Sequence, residues 1–220
     1  MSAAYATDPA MNETTPPAAR FWDRIAAKYA AQPVADEAAY RYKLETTRAY
    51  LTPESDVLEF ACGTGSTALA HAPHVRSILA TDISANMIDI AQGKVREAGV
   101  DNVTFQRAAL DDLPTEARYD MVMGHSILHL LPDPPAAIAK VRAMLKPGSV
   151  FVSSTVCIGE TRGWLKPVLV LMRLVGRAPY VNVFRVRDLV RNLEEGGFVI
   201  EHQWQPGKGK AVFIVARKAA

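Results

Sequence analysis

The passage that most constrains this chain is VLEFACGTGSTA, residues 57–68: an apolar run, a turn holding Gly63 and Gly65, and the start of a helical pattern. So sharp a strand-to-helix turn calls for residues without a Cβ, which also lets a ligand approach the backbone N–H groups. A second apolar run, 75–81, leads into Asp82. In a doubly wound sheet that position lies beside the first turn, where a carboxylate can accept both hydroxyls of a ribose. Strand, glycine turn, helix and acid in this order point to a nucleoside ligand.

The alternation of short apolar runs with helical spacing continues for about a hundred residues, the writing of βαβ units. A helix is expected after Ser84 as N-cap, ending at Gly99, with Met87, Ile88, Ala91 and Val95 on one face. Further strands are expected at 103–106, 119–124 and 149–156, and a helix at 135–145 stopped by Lys146, Pro147 and Gly148. After a helix at 188–195, strands at 198–204 and 211–216 are joined by a loop so short that they must form an antiparallel hairpin. Two helical stretches, within 18–52, precede the first strand. The reading is one three-layer α/β domain over 18–220 with an N-terminal helical cap, after a disordered tail at 1–17.

Composition narrows the setting. With 220 residues, 49% of them hydrophobic, the chain can build one sizeable core. Its net charge of +2 advertises no nucleic acid. Cys62 and Cys157 sit in apolar or Gly-rich surroundings and read as small buried hydrophobes, which fits a reducing, cytoplasmic location. The tail lacks the basic start and apolar stretch of a signal peptide, and no run is long enough to span a membrane.

Two nucleoside cofactors compete, because residues 63–68 also satisfy the G-x-G-x-x-A dinucleotide pattern. Glu59, four residues before Gly63, decides between them. A carboxylate there repels a pyrophosphate and suits a cationic ligand. The C-terminal hairpin also argues against the all-parallel sheet of a dinucleotide-binding domain.

At these residues the chain resembles the class I S-adenosylmethionine (SAM) dependent methyltransferases, of the broad group that includes the ubiquinone and menaquinone methyltransferases. The resemblance rests on VLEFACGTGS, ATDIS with ANM, YDMVMGHSILHLL and LKPGS with VFVSST, and runs from about Phe21 to Arg217. It implies a Rossmann-like, mostly parallel sheet, SAM as cofactor and a small-molecule acceptor. It further implies that Gly63 and Gly65 line the methionine part, Asp82 binds the ribose, Ile83 and Met87 pack on adenine, and Glu59 orders the loop. Where relatives carry an acid that meets the adenine amino group, this chain has Ala109. The backbone of Ala109 and Leu110, or the side chain of Asp111, would then serve. Tyr29 matches an aromatic that closes over the cofactor, or else packs the first helix onto the sheet.

Methyl transfer from a sulfonium is an in-line displacement for which a protein chiefly supplies alignment and a dry pocket. His125, at the end of the fourth strand, is the candidate catalytic residue, either as a base or as a contact to the methionine end. His129 is expected one helical turn further on the same face, but with no third ligand nearby no metal site is expected. Asp133-Pro134-Pro135-Ala136 resembles the motif of amino-directed nucleic-acid methyltransferases only in its letters, since no ring follows to stack a base.

A lid insertion is expected at 157–186. Its apolar residues Trp164, Leu165, Val168 and Leu169 carry a basic fringe of Arg162, Lys166, Arg173 and Arg177. It reads either as the wall of a hydrophobic or lipid-like acceptor pocket, with peripheral membrane contact, or as a buried helix packed on the sheet. A methyltransferase is thus the first reading. An NAD(P)-dependent oxidoreductase and a catalytically silent SAM-binding protein are the alternatives. Oligomeric state is not legible.

Overall fold

Strand β1 (Asp56–Phe60) is almost wholly buried, as a strand covered on both faces of a parallel sheet must be. A computed structural model describes residues 16–157, 159 and 180–219 of the chain; the tail to residue 15 and residues 158 and 160–179 of the expected lid lie outside the described residues. Around β1 stand β2 (Ser77–Asp82), β3 (Val103–Arg107), β4 (Tyr119–His125), β5 (Leu145–Val156), β6 (Phe198–Trp204) and β7 (Ala211–Lys218), in the spatial order β3-β2-β1-β4-β5-β7-β6. All pairings are parallel except those of β7, which runs antiparallel to both β5 and β6. The expected hairpin is therefore present, its second strand inserted between β5 and the first.

Among the described residues six α-helices accompany the sheet: α1 (Pro17–Ala30), α2 (Glu37–Arg48), α3 (Ser66–His71), α4 (Ala85–Ala98), α5 (Pro134–Met144) and α6 (Val186–Glu195). Ile138 and Val141 of α5 and Leu189 and Leu193 of α6 share one core cluster with Phe60 and Phe151. Ala68 of α3 and Ile88 and Ala91 of α4 share the cluster on the other face with Val57 and Met121. This is the three-layer arrangement, because each helix buries one stripe and the sheet offers two apolar faces.

Local signals explain the helix ends. Asp36 accepts from the Ala39 amide at 3.0 Å to start α2, Ser84 Oγ accepts from the Met87 amide at 3.2 Å to start α4, and Gly99 ends α4 with φ +63°. Asp133 caps α5 through the Ala136 amide, so the Asp-Pro-Pro-Ala letters are a helix start. One boundary differs from expectation. Lys146, Pro147 and Gly148 do not form a loop; β5 begins at Leu145, opposite Tyr119, and absorbs them. Asp120 explains part of this: it accepts from the Asp56 amide and binds Lys146 Nζ at 2.8 Å, tying β1, β4 and the start of β5 at the edge away from the glycine turn.

Candidate functional site

Strand order reverses between β1 and β4, and ligands of open α/β sheets lie outside the carboxyl ends of the strands at that point. Two non-glycine residues there hold a left-handed backbone, Ala61 (φ +54°) just after β1 and Ser126 (φ +55°) just after β4. Such strain persists where surrounding structure imposes it, commonly at binding sites.

The two glycines of the turn serve different ends. A Cβ on Gly65 would lie 2.4 Å from the Phe105 ring and 3.0 Å from Ala91, so Gly65 is dictated by packing against β3 and α4 as well as by its φ of +76°. A Cβ on Gly63 would meet only Tyr29, at 3.9 Å. Gly63 is the one that leaves room.

Asp82 is buried at the end of β2. Its Oδ2 accepts from the Gly63 amide and its Oδ1 from the Ser84 amide, each at 2.9 Å, so it staples the glycine turn to the start of α4. Burial raises its pKa, against the pull of the amides of Ser84, Gly63 and Ile83. Ionised, it still has a lone pair to offer a hydroxyl. Ile83 beside it is half-buried, whereas Met87 is 2% exposed and is largely a core residue. The Ala109 amide donates to Asp112 Oδ2 at 2.9 Å, so that N–H, expected to face adenine, is already engaged. The Asp111 carbonyl accepts from Lys140. α1 is latched over this end: Asp23 Oδ1 accepts from Ser84 Oγ at 2.6 Å and from the Asn86 amide at 3.2 Å.

Glu59 is 2% exposed. It accepts from the Ala68 amide, while its Oε2 is buried with no partner among the described residues. Burial, with Asp82 nearby, pushes its pKa up to about 8. The same surroundings keep the Cys62 thiol protonated, and both cysteines are buried and free.

Next to the turn opens a cavity of about 390 Å³ walled by the α1–α2 connection, α2, α3 and the end of β4. Tyr29, half exposed, lines it together with Cys62, Thr64, His125 and Ser126. From α2 come Tyr40, Lys43, Leu44 and Thr47, one helical face, with the Tyr40 hydroxyl bonded to Thr67. His125 has a buried, unpartnered Nδ1, and burial, then Lys43 and His71, lower its pKa to about 3. His129 does not share a helical face with it: His125 ends β4 and His129 lies in a short 3₁₀ turn, Leu128–Leu130. No group of three metal-ligating side chains occurs among the described residues. Lys43, His71 and Lys94 were not singled out from the sequence. The spacing of 40, 43/44 and 47 was its only signal, and spacing alone does not say which face of α2 points inward.

A family model described as a methyltransferase domain matches residues 57–148, the span from β1 to the early part of β5 that carries all of the turn and Asp82. Over these residues the chain matches a methyltransferase domain, and its seven-stranded sheet with the C-terminal hairpin is the fold of the class I SAM-dependent methyltransferases. A ubiquinone biosynthesis O-methyltransferase of Leptothrix cholodnii is 26% identical over 152 residues, 66% of this chain and 65% of that one. A tRNA 5-carboxymethoxyuridine methyltransferase of Escherichia coli K12 is 32% identical over 97 residues, 43% of this chain and 37% of that one. A solved structure, the DhpI complex with S-adenosylhomocysteine (SAH), superposes with a TM-score of 0.72 at 26% identity, covering 92% of this chain and 96% of that one. The chain spans between a third and two thirds of the length of the curated relatives it matches. The cofactor of a class I methyltransferase is SAM, and the residues fit it: Gly63 leaves space, Asp82 retains acceptor capacity, and the unpartnered Oε2 of Glu59 suits an ammonium donor. Among the described residues no helix is long and apolar enough to cross a membrane.

Proposed function

We propose that this methyltransferase transfers the methyl group of SAM to an oxygen, nitrogen or sulfur atom of a small acceptor with an apolar body. The observation that carries the reading is the pair of buried acids, Glu59 and Asp82, flanking a turn that opens onto a cavity. Acids in that position favour a cationic ligand over a pyrophosphate. Bound SAM supplies an already activated methyl group; the chain's part is to hold the acceptor in line and exclude water. Asp82 would hold the ribose, Gly63 and Glu59 the methionine end, and Tyr29 would close the opening.

His125 fits this scheme as a neutral hydrogen-bonding contact. A base works best with a pKa near the operating pH, and one near 3 is too weak to take a proton from a hydroxyl. The same observation supports the second reading, a catalytically silent SAM-binding protein. The cavity, about 390 Å³, is of a size that takes a small molecule. Net charge alone does not exclude nucleic acid, since one relative acts on tRNA.

Thermal unfolding with SAM, SAH and NAD(P) separates the cofactors: SAM and SAH raise Tm, NAD(P) does not. Stabilisation by NAD(P) alone would overturn the reading; Lys94, which donates to Thr64 and Ser66 on the turn, is a feature there that suits a phosphate. Release of SAH with any member of an acceptor panel then distinguishes the enzyme from the silent binder.

A further inference from the structure

The cavity beside the glycine turn has a lopsided lining. Lys43, Lys94, His71 and His125 face it, and among the described residues that line it there is no aspartate or glutamate. Lys43 makes no hydrogen bond or ion pair among the described residues, although it is half-buried. A cation withdrawn from water without a bonded partner is costly, and burial lowers its pKa, an effect that the charge of Asp36 offsets only in part. His71, at the end of α3, is fully buried, and neither ring nitrogen has a partner among the described residues. A neutral imidazole always carries one N–H and one acceptor nitrogen, so His71 holds an unused donor at the cavity wall. Lys94 differs, being spent on Thr64 and Ser66 at 3.0 and 3.1 Å. An unpaired ammonium and an unsatisfied imidazole thus share one wall with Leu44, while Val34 and Ala35 add apolar surface.

We propose that this cavity selects acceptors bearing a carboxylate, which pairs with Lys43 and accepts a hydrogen bond from His71 while the apolar body lies along Leu44 and Val34. The assignment rests on the methyltransferase reading and adds the acceptor's charge to it. It also removes a difficulty: the anion repairs two unsatisfied buried groups at once, which a neutral acceptor would leave exposed to the full desolvation penalty. Lys43 is a specificity residue in this account; it lines the cavity, which Asp82 does not.

The alternative source of a carboxylate is the methionine part of the cofactor, and the test separates the two. The protein is first saturated with SAH, whose binding is measured by calorimetry; absence of SAH binding would sink the methyltransferase reading before the acceptor question arises. Octanoate and methyl octanoate, which differ in charge and share an apolar chain, are then titrated into the SAH complex. Octanoate is expected to bind at least tenfold more tightly than the ester. In Lys43→Met that preference should collapse to less than twofold, with SAH affinity unchanged within twofold, which also shows that the variant is folded. Lys43→Arg, keeping the charge, should restore the preference. Equal binding of acid and ester, or binding of neither, overturns the proposal. So does a Lys43→Met variant that loses SAH affinity tenfold while still preferring octanoate, for Lys43 would then serve the cofactor.

Discussion

The acid end and the cavity of this protein are built from the same loop yet carry opposite chemistry. Where β1 and β2 end, acids converge: the oxygens of Asp82 and of the Asp23 latch are taken up by backbone amides and a hydroxyl, while Glu59 keeps one buried oxygen without a partner among the described residues. A few residues away, Lys43 and the histidines face a cavity without a carboxylate among its described lining. The near-neutral net charge of +2 conceals this division. Such a division would let a single pocket sort two ligands by charge, a cationic cofactor toward the acids and a group of the opposite sign toward the cavity.

Removing the central acid should break the comparison most severely. Asp82→Ala deletes the carboxylate that would bind the ribose and frees two buried amide donors, those of Gly63 and Ser84. Hydrogen bonds to a charged group contribute about 1.5–3 kcal/mol each, so losing two ribose contacts should weaken SAM binding roughly 100-fold or more. Asp82→Asn keeps an acceptor for one amide and should fold better than Asp82→Ala while still binding SAM at least tenfold more weakly than the parent. Calorimetry reads both, and an unchanged dissociation constant for either would place the ribose elsewhere.

The acid end was the legible part. Glycines, strand ends and a capping serine are local signals, and Gly63, Asp82 and Ser84 stand where the pattern of the sequence puts them. Gly65 was legible in position and not in reason, because Phe105, forty residues away, supplies the contact that excludes a side chain. The cavity was hardly legible at all. Whether Lys43 faces solvent or the sheet depends on how α2 packs against α3, a long-range outcome that helical spacing does not encode. His125 and His129 illustrate the same limit: four residues apart suggested one helical face, but the first ends a strand and the second lies in a 3₁₀ turn. The start of β5 at Leu145 was hidden by Pro147 and Gly148, breakers that the Lys146–Asp120 contact holds in the strand.

The two ends should also respond to pH in opposite directions. Glu59 keeps its proton up to about pH 8 in the folded protein against 4.5 in the unfolded chain. Its contribution is therefore present in full below 4.5 and is lost as pH rises through 8. His71 and His125, lowered to about 4 and about 3 from 6.5, contribute fully above 6.5, and that contribution is lost as pH falls toward those values. Urea midpoints followed from pH 4 to 9 should show Glu59→Gln gaining on the parent steadily between pH 5 and 8. His71→Gln should flatten the decline below pH 6. Curves that run parallel to the parent in either window would mean that the group concerned titrates normally. The same logic makes SAM binding release a proton near pH 7, since a cation beside Glu59 favours its ionised form; Glu59→Gln should abolish that release, counted by calorimetry in buffers of different ionisation enthalpy.

The smallest effect is expected at the seam between the two ends. Ala61 turns the chain from Glu59 toward Gly63 with φ +54°, a conformation that disfavours a side chain by about 1–2 kcal/mol. Ala61→Gly relieves that strain, but glycine adds about 0.5–1 kcal/mol of conformational entropy to be lost on folding, and the Ala61 methyl packs against the core, where burial of such a group is worth up to about 0.8 kcal/mol. These opposing magnitudes nearly cancel, so Ala61→Gly should shift unfolding free energy by less than about 1 kcal/mol and leave SAM affinity unchanged. Ala61→Val keeps the strain, adds a branched Cβ and should destabilise by about 2 kcal/mol or more. If glycine instead stabilised the protein by several kcal/mol, the strain at the seam would be far larger than its geometry implies, and the loop joining the two ends would be held by the ligands rather than by the fold.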